Sequence, residues 1–294
     1  KCMHPNPKII GIYTNLISLY INNRGFNQSL DHLPNTLKFL EIRSAKFDQF
    51  LDNLPENLVS LSMICNEFNR PLNHLPSKLE ELKIVSGSFC KDIKVLPKSL
   101  KKLHVDCPSF NKSINNLPAN LHSFQMHGKT FEHSHSHGKF DNFHSHCATH
   151  FDNLPKNLSE LVLSGMSKLS LTRLPNSLKY LRLWNCNTTY KIKFPKNLIE
   201  LDLYSIPLLL FSSLPDSLQS VKMRHCDILN ELVFPDNISS LCLNYGSYPV
   251  PLNVLVNLPK NLCDLTIYGN FAFQSNHIFP DTIKSIQINL KKIR

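Results

Sequence analysis

Phe68-Asn69-Arg70-Pro71-Leu72-Asn73-His74-Leu75-Pro76-Ser77-Lys78-Leu79-Glu80-Glu81-Leu82-Lys83-Ile84 is one copy of a unit that recurs along most of this 294-residue chain. The Leu-Pro pair is its ruler. Pro34, Pro55, Pro76, Pro97 and Pro118 follow one another at intervals of 21 residues. Pro155, Pro175, Pro195, Pro215 and Pro235 are 20 apart after one jump of 37, and Pro259 and Pro280 come at intervals of 24 and 21. Apolar side chains stand three, six and eight residues after each proline, as in Leu37, Leu40 and Ile42 or Leu262, Leu265 and Ile267. Twenty-one residues before Pro34 lies Tyr13, where the pattern continues without its proline, for thirteen copies in all.

Two apolar residues spaced by two share one face of a strand. One such strand cannot bury its apolar pair alone, so neighbouring copies must stack in parallel. The proline, with φ fixed and no N–H, belongs on the return path and disfavours a helix there. A unit of 20 or 21 residues leaves little room for one. The expected fold is therefore a leucine-rich-repeat-like solenoid with a parallel β-sheet on its concave face, short extended or 3₁₀ return segments and little α-helix.

Thirteen residues after their prolines come Phe47, Phe68, Phe89, Phe110 and Phe131, with Phe26 in the degenerate copy, a predicted second spine of the core. This phenylalanine is lost after Pro155, where the copies shorten. The predicted organisation is a lead-in at 1–12, repeats of one kind at 13–131, a histidine-rich insertion at 132–147, repeats of the second kind at 148–290 and an end segment at 291–294. Cys186, Cys226, Asn66 and Asn270 stand eleven residues after their prolines, a slot just past the strand that in leucine-rich repeats, which the unit resembles, holds Asn or Cys facing the backbone inside the turn.

Hydrophobic residues make up 42% of the chain and charged ones 18%, which suits a continuous core and excludes a disordered chain. No apolar run reaches the length of about 18 residues that a spanning helix needs. The nine cysteines are odd in number and scattered, which points to reduced thiols in an intracellular compartment. There is no glycine-rich phosphate loop, nucleophile elbow or paired-carboxylate motif, so no catalytic residue is expected.

Five, seven and nine residues after each proline, side chains should face outward from the sheet. Across three consecutive copies these are Tyr180, Arg182 and Trp184, Glu200, Asp202 and Tyr204, then Lys222 and Arg224, with Tyr268 further along. Trp, Tyr and Arg dominate binding hot spots, so this block is the predicted protein-binding surface, centred on Trp184, Tyr204 and Arg224. Glu200 and Asp202 are expected to orient Arg182, Lys222 or a basic group of the partner. The alternative is ordinary cross-strand pairing within the sheet.

The net charge is +10. On the outward strand positions six basic residues meet seven acidic ones, so nucleic acid is not expected on the concave face. The excess lies beside the prolines, at Lys98, Lys101, Lys156, Lys179, Lys196, Lys260 and Lys284, as a solvated face or a contact for polyanions. The insertion carries His133, His135, His137, His144, His146 and Cys147. Imidazole and thiolate suit Zn²⁺, the one cofactor the sequence suggests, while a merely solvated histidine tract and a pH-responsive contact are the other readings.

The unit also resembles a known family. Phe-Asn-x-x-Leu/Ile-x-x-Leu-Pro-x-x-Leu-x-x-Leu, seen at Phe26-Asn27 to Pro34, at Phe68-Asn69 to Pro76 and at Phe110-Asn111 to Pro118, is similar to the FNIP repeat of social amoebae and amoeba-infecting giant viruses. The resemblance is specific in the first half and looser after residue 155. It implies a recognition surface and, in giant-virus members, an F-box ahead of the repeats that links a bound target to a ubiquitin ligase. The residues before the first copy are too few for an F-box, so that role would need one upstream of Lys1. A second resemblance is to bacterial effectors with Leu-Pro-x-x-Leu repeats, some of which carry a ubiquitin-ligase domain behind them. The implied function is a non-enzymatic protein-recognition scaffold in the host cytoplasm or, for a viral protein, the virion. A structural component of a particle, or a metal-binding protein, is the alternative.

Overall fold

A computed structural model describes residues 12–110, 112, 114, 116–128, 151, 153–166, 169–187, 191–206, 213–226, 232–249, 257–270 and 279–289. These form thirteen short strands and, among the described residues, no helix. The first six are β1 (Ser18–Asn22), β2 (Phe39–Arg43), β3 (Ser60–Ile64), β4 (Glu81–Val85), β5 (Lys102–Asp106) and β6 (Ser123–His127). After the insertion come β7 (Glu160–Ser164), β8 (Tyr180–Trp184), β9 (Glu200–Tyr204), β10 (Ser220–Arg224), β11 (Ser240–Pro249), β12 (Asp264–Asn270) and β13 (Ser285–Asn289). They make one sheet in strict sequence order, each strand parallel to the next. From β1 to β10 every strand runs from five to nine residues after its proline, or after Tyr13.

The turn that launches each strand has one geometry. In all twelve proline copies the proline carbonyl accepts the N–H of the apolar residue three positions on, at 3.0 to 3.3 Å. Leu16 makes the same bond to Tyr13, at 3.0 Å, so the turn does not depend on the proline ring. The residue two after the proline then ties its turn to the previous copy. Thr36, Ser99, Ser177, Ser217 and Thr282 donate hydroxyls, and Asn57, Asn120, Asn197 and Asn237 donate amides, to carbonyls one copy back.

Inside the coil, Leu37, Leu40 and Ile42 and their counterparts in the interior copies are almost wholly buried, whereas in the last copy Ile286 is 43% exposed. Phe26, Phe47, Phe68, Phe89 and Phe110 stack at ring separations of 5.8 to 6.1 Å with planes within 13°. Phe131 lies outside the described residues. Burying each such ring stabilises the coil by roughly 1.5–3 kcal/mol. The Asn beside the phenylalanine serves the backbone instead. Asn27 Oδ1 accepts the Asp48 N–H, Asp48 Oδ1 the Asn69 N–H, and Asn69 Oδ1 the Cys90 N–H. A Phe-Asn unit thus supplies one layer of core and one satisfied backbone donor in the next copy.

The two repeat lengths differ in how the chain leaves the strand. In the 20-residue copies the residue ten after the proline has positive φ: Gly165 66°, Asn185 51°, Ser205 53° and His225 51°. The next residue then turns inward, so Cys186 and Cys226 are buried as expected. In the 21-residue copies the inward turn comes one residue earlier, at Ser44, Cys65, Ser86 and Cys107, all buried. Asn66 is consequently exposed, contrary to the sequence expectation. The serines at this slot are paired: Ser44 Oγ donates to the Phe26 carbonyl at 2.7 Å and Ser86 Oγ to that of Phe68 at 2.8 Å.

The 37-residue interval does not interrupt the sheet. Ser123 pairs with Glu160 and His127 with Ser164 in the common register.

Candidate functional site

On β8, β9 and β10 the inward residues Leu181, Leu183, Leu201, Leu203, Val221 and Met223 are 0–1% exposed, which fixes the outward set. In register across the three strands stand Tyr180, Glu200 and Ser220, then Arg182, Asp202 and Lys222, then Trp184, Tyr204 and Arg224. Tyr180 is 37% exposed, whereas Asp202 is only 9% exposed.

The guanidinium of Arg224 organises the block. Its carbon lies 5.6 Å from the Tyr204 ring centroid and 5.8 Å from that of Trp184, so the side chain reaches back across β9 towards β8. Its Nη2 donates to both carboxylate oxygens of Asp202, at 2.9 and 3.1 Å. A cation over aromatic rings gains about 0.5–2 kcal/mol, more as water is excluded. Tyr204 also meets the His225 ring edge-on at 5.3 Å. Two buried donors in the block, Trp184 Nε1 and Arg224 Nε, have no acceptor among the described residues.

The expected roles of the carboxylates change. Arg182 and Lys222 flank Asp202 on neighbouring strands, yet its carboxylate is taken by Arg224. Arg182, Lys222 and Glu200 form no ion pair among the described residues. Tyr268 stands two strands beyond Arg224, across Asn244. Asn244 itself is occupied locally, accepting the Gly246 N–H at 2.8 Å.

The sheet face of the first half is largely self-paired. Arg43 binds Glu41 at 2.7 Å and lies 5.7 Å from the Tyr20 ring, Lys102 binds Glu81 at 2.7 Å, and Ser123 donates to Glu160 at 2.7 Å. His104 and His127 approach to 5.3 Å between ring centroids. Burial first, then the neighbouring imidazole and Lys83, lowers the pKa of His104. Burial first, then Lys83, lowers that of His127 against the opposing pull of Asp106. This pair was legible in the register, seven and nine residues after consecutive prolines, but not singled out. The histidines and Cys147 of the insertion fall outside the described residues. Among the described residues no three His, Cys, Asp or Glu side chains come together as a metal site.

A parallel sheet of stacked short strands, with no helix among the described residues, defines a leucine-rich-repeat-like solenoid. Among solved structures the chain is similar to YopM of Yersinia pestis, a leucine-rich effector protein, at 18% identity and TM-score 0.50 over 92% of this chain and 88% of that one. It is also similar to YopM of Yersinia enterocolitica WA-314, at 18% identity and TM-score 0.33 over 93% and 73% of the two chains. A third likeness is to CroV588, a circular leucine-rich-repeat protein, at 20% identity and TM-score 0.46 over 94% of this chain and 50% of that one. This chain thus spans half the length of CroV588. These likenesses are of fold. No family model and no curated protein matches the sequence. Among the described residues no helix is long and apolar enough to cross a membrane.

Proposed function

We propose that the chain is a non-enzymatic recognition scaffold that binds a protein partner through the sheet face of β8 to β10. The observation that carries this reading is the stack of Trp184, Tyr204 and Arg224, anchored by Asp202 at the centre of a surface where Tyr180, Arg182, Glu200 and Lys222 have no side-chain partner among the described residues. Large aromatic area with few rotors to freeze binds at low entropic cost, and a pre-positioned guanidinium adds a directional donor. Unpaired charges around that centre supply orientation and partner selection. The FNIP-like units support a finer reading, in which the scaffold is the target-binding part of an F-box type ubiquitin-ligase adaptor.

The test is affinity capture from host cytosol with the parent chain, Trp184→Ala and Ser62→Ala, each first shown to be folded. A partner retained by the parent and Ser62→Ala and lost with Trp184→Ala supports the site, with an expected loss of about 2 kcal/mol. Equal retention by all three places recognition elsewhere. Co-capture of ubiquitin-ligase subunits by the full-length gene product is expected on the finer reading, and their absence removes it.

A further inference from the structure

The cations outside the sheet face are not spread evenly. They concentrate along the lateral edge where each return segment turns into its strand. From two residues before to four residues after the prolines Pro97, Pro118, Pro155, Pro175 and Pro195 there is no Asp or Glu. The same segments expose Lys98, Lys156, Arg173, Lys179, Lys193 and Lys196, none of which has an ion-pair partner among the described residues. Acidic residues return at both ends of this tract, with Glu56 and Glu80 before it and Asp216 and Asp236 after it. Lys101, at the boundary, is already paired with Glu80 at 2.8 Å. A face that served solubility alone would not need its carboxylates removed from five consecutive copies.

The edge is also rigid. The residue four after each proline donates its N–H to the carbonyl of its counterpart one copy back: His122 to Lys101, Ser159 to His122, Lys179 to Ser159 and Ile199 to Lys179, at 2.8 or 2.9 Å. The turns are stitched a second time by Asn120 to the Lys98 carbonyl at 3.0 Å and by Asn197 to that of Asn176 at 3.0 Å. Neighbouring strands lie about 4.8 Å apart, so five copies span roughly 19 Å.

We infer that this edge is a docking surface for the sugar-phosphate backbone of double-stranded nucleic acid, bound without sequence preference. Duplex DNA offers one negative charge per roughly 1.7 Å of axis with both strands counted, so about 19 Å of edge runs alongside on the order of ten phosphates, of which those on the near side are in reach. Apart from Val95 at its end the tract presents no exposed large apolar side chain, and Phe194 within it is buried. It therefore lacks the stacking platform that unpaired bases would use and the apolar anchor that an acidic protein segment would use. The sheet face, with its charges balanced and partly paired, is left to the protein partner.

The experiment is fluorescence anisotropy with a labelled 20-base-pair DNA duplex of arbitrary sequence, at 50 and 200 mM salt. Two triple variants are compared with the parent. Lys156→Glu/Lys179→Glu/Lys196→Glu alters the edge. Arg24→Glu/Lys91→Glu/Lys112→Glu makes the same change in net charge beyond the far ends of the strands. Circular dichroism establishes that both are folded. The parent is expected to bind with an affinity that falls on the order of a hundredfold between the two salts, as for about four neutralised phosphates. The edge variant is expected to bind at least tenfold more weakly at 50 mM salt, with the control near the parent. No binding by the parent, or equal weakening of both variants, overturns the inference. So does displacement of the duplex by polyglutamate at lower charge concentration than by unlabelled duplex, which would mark an acidic protein as the occupant. Trp184→Ala should leave duplex binding unchanged, so the fate of this inference is separate from that of the protein-binding site.

Discussion

Arg224 and Asp202 stand diagonally across β9 and β10, and the arginine's Nη2 sits 2.9 and 3.1 Å from the two carboxylate oxygens. Asp202 is nearly buried, so this bond is what keeps its charge from being stranded. Removing the arginine should expose that cost. Arg224→Ala is expected to lose about 1.5–3 kcal/mol, while the joint variant Asp202→Asn/Arg224→Ala recovers part of it. Urea unfolding of the parent, both single variants and the double variant measures the coupling. A coupling indistinguishable from zero would show that the pair does not order the site.

The slot ten residues after the proline should respond oppositely in the two repeat types. Ser205 has φ of 53°, a region that costs a non-glycine residue roughly 1–2 kcal/mol. Ser205→Gly relieves this at some entropic cost, for a net gain of about 0.5–1 kcal/mol. Ser44 occupies the same slot but is buried and bonded to the Phe26 carbonyl. Ser44→Gly is expected to cost about 1–3 kcal/mol. Urea midpoints with the same sign for both would refute the distinction.

Stability should fall with acid partly through His104 and His127. Both have pKa values lowered from the ordinary 6.5, so the folded chain binds fewer protons than the unfolded one around that pH. Their contribution is present above 6.5 and is lost as the pH falls through that value and on towards the lowered one. Unfolding free energies at pH 7.5 and 5.5 should differ less in His104→Gln/His127→Gln than in the parent. An unchanged difference would place the acid sensitivity in other groups.

Burial pushes the thiols of Cys65, Cys107 and Cys186 up to about 12. The thiolate is the reactive form, so these three should resist iodoacetamide at pH 8 in the folded chain and react once it is unfolded in urea. Peptide mapping by mass spectrometry reads each site separately. Rapid labelling of Cys186 in the folded chain would contradict the inward turn assigned to it.

Removal of residues 132–147 should leave the solenoid intact, because β6 and β7 already pair in the register of every other interior step. The shortened chain regains a 21-residue interval between Pro118 and Pro155. Loop-closure entropy changes slowly with length, so the unfolding free energy should move by about 1 kcal/mol or less. Loss of the circular dichroism signal of the sheet would mean that the insertion is part of the fold.

The amino-acid sequence by itself determined the number of copies, the strand positions and the register. In a solenoid each copy contacts only its neighbours, so one period of apolar residues specifies which backbone lies beside which. Hence even the degenerate copy at Tyr13 made its strand on schedule, and the outward residues of β8 to β10 were legible from spacing alone. The tertiary structure decided what spacing does not encode. Whether the chain turns inward at Cys65 or at Cys186 depends on one backbone dihedral after the strand, which is why Asn66 faces out. Arg182, Lys222 and Arg224 were all within reach of Asp202 by register. The longer diagonal reach of Arg224, steadied by the Tyr204 and Trp184 rings, is a side-chain conformation set by three neighbouring strands at once. The amide and hydroxyl ladders were likewise invisible in a single copy, because each donor finds its acceptor one repeat away.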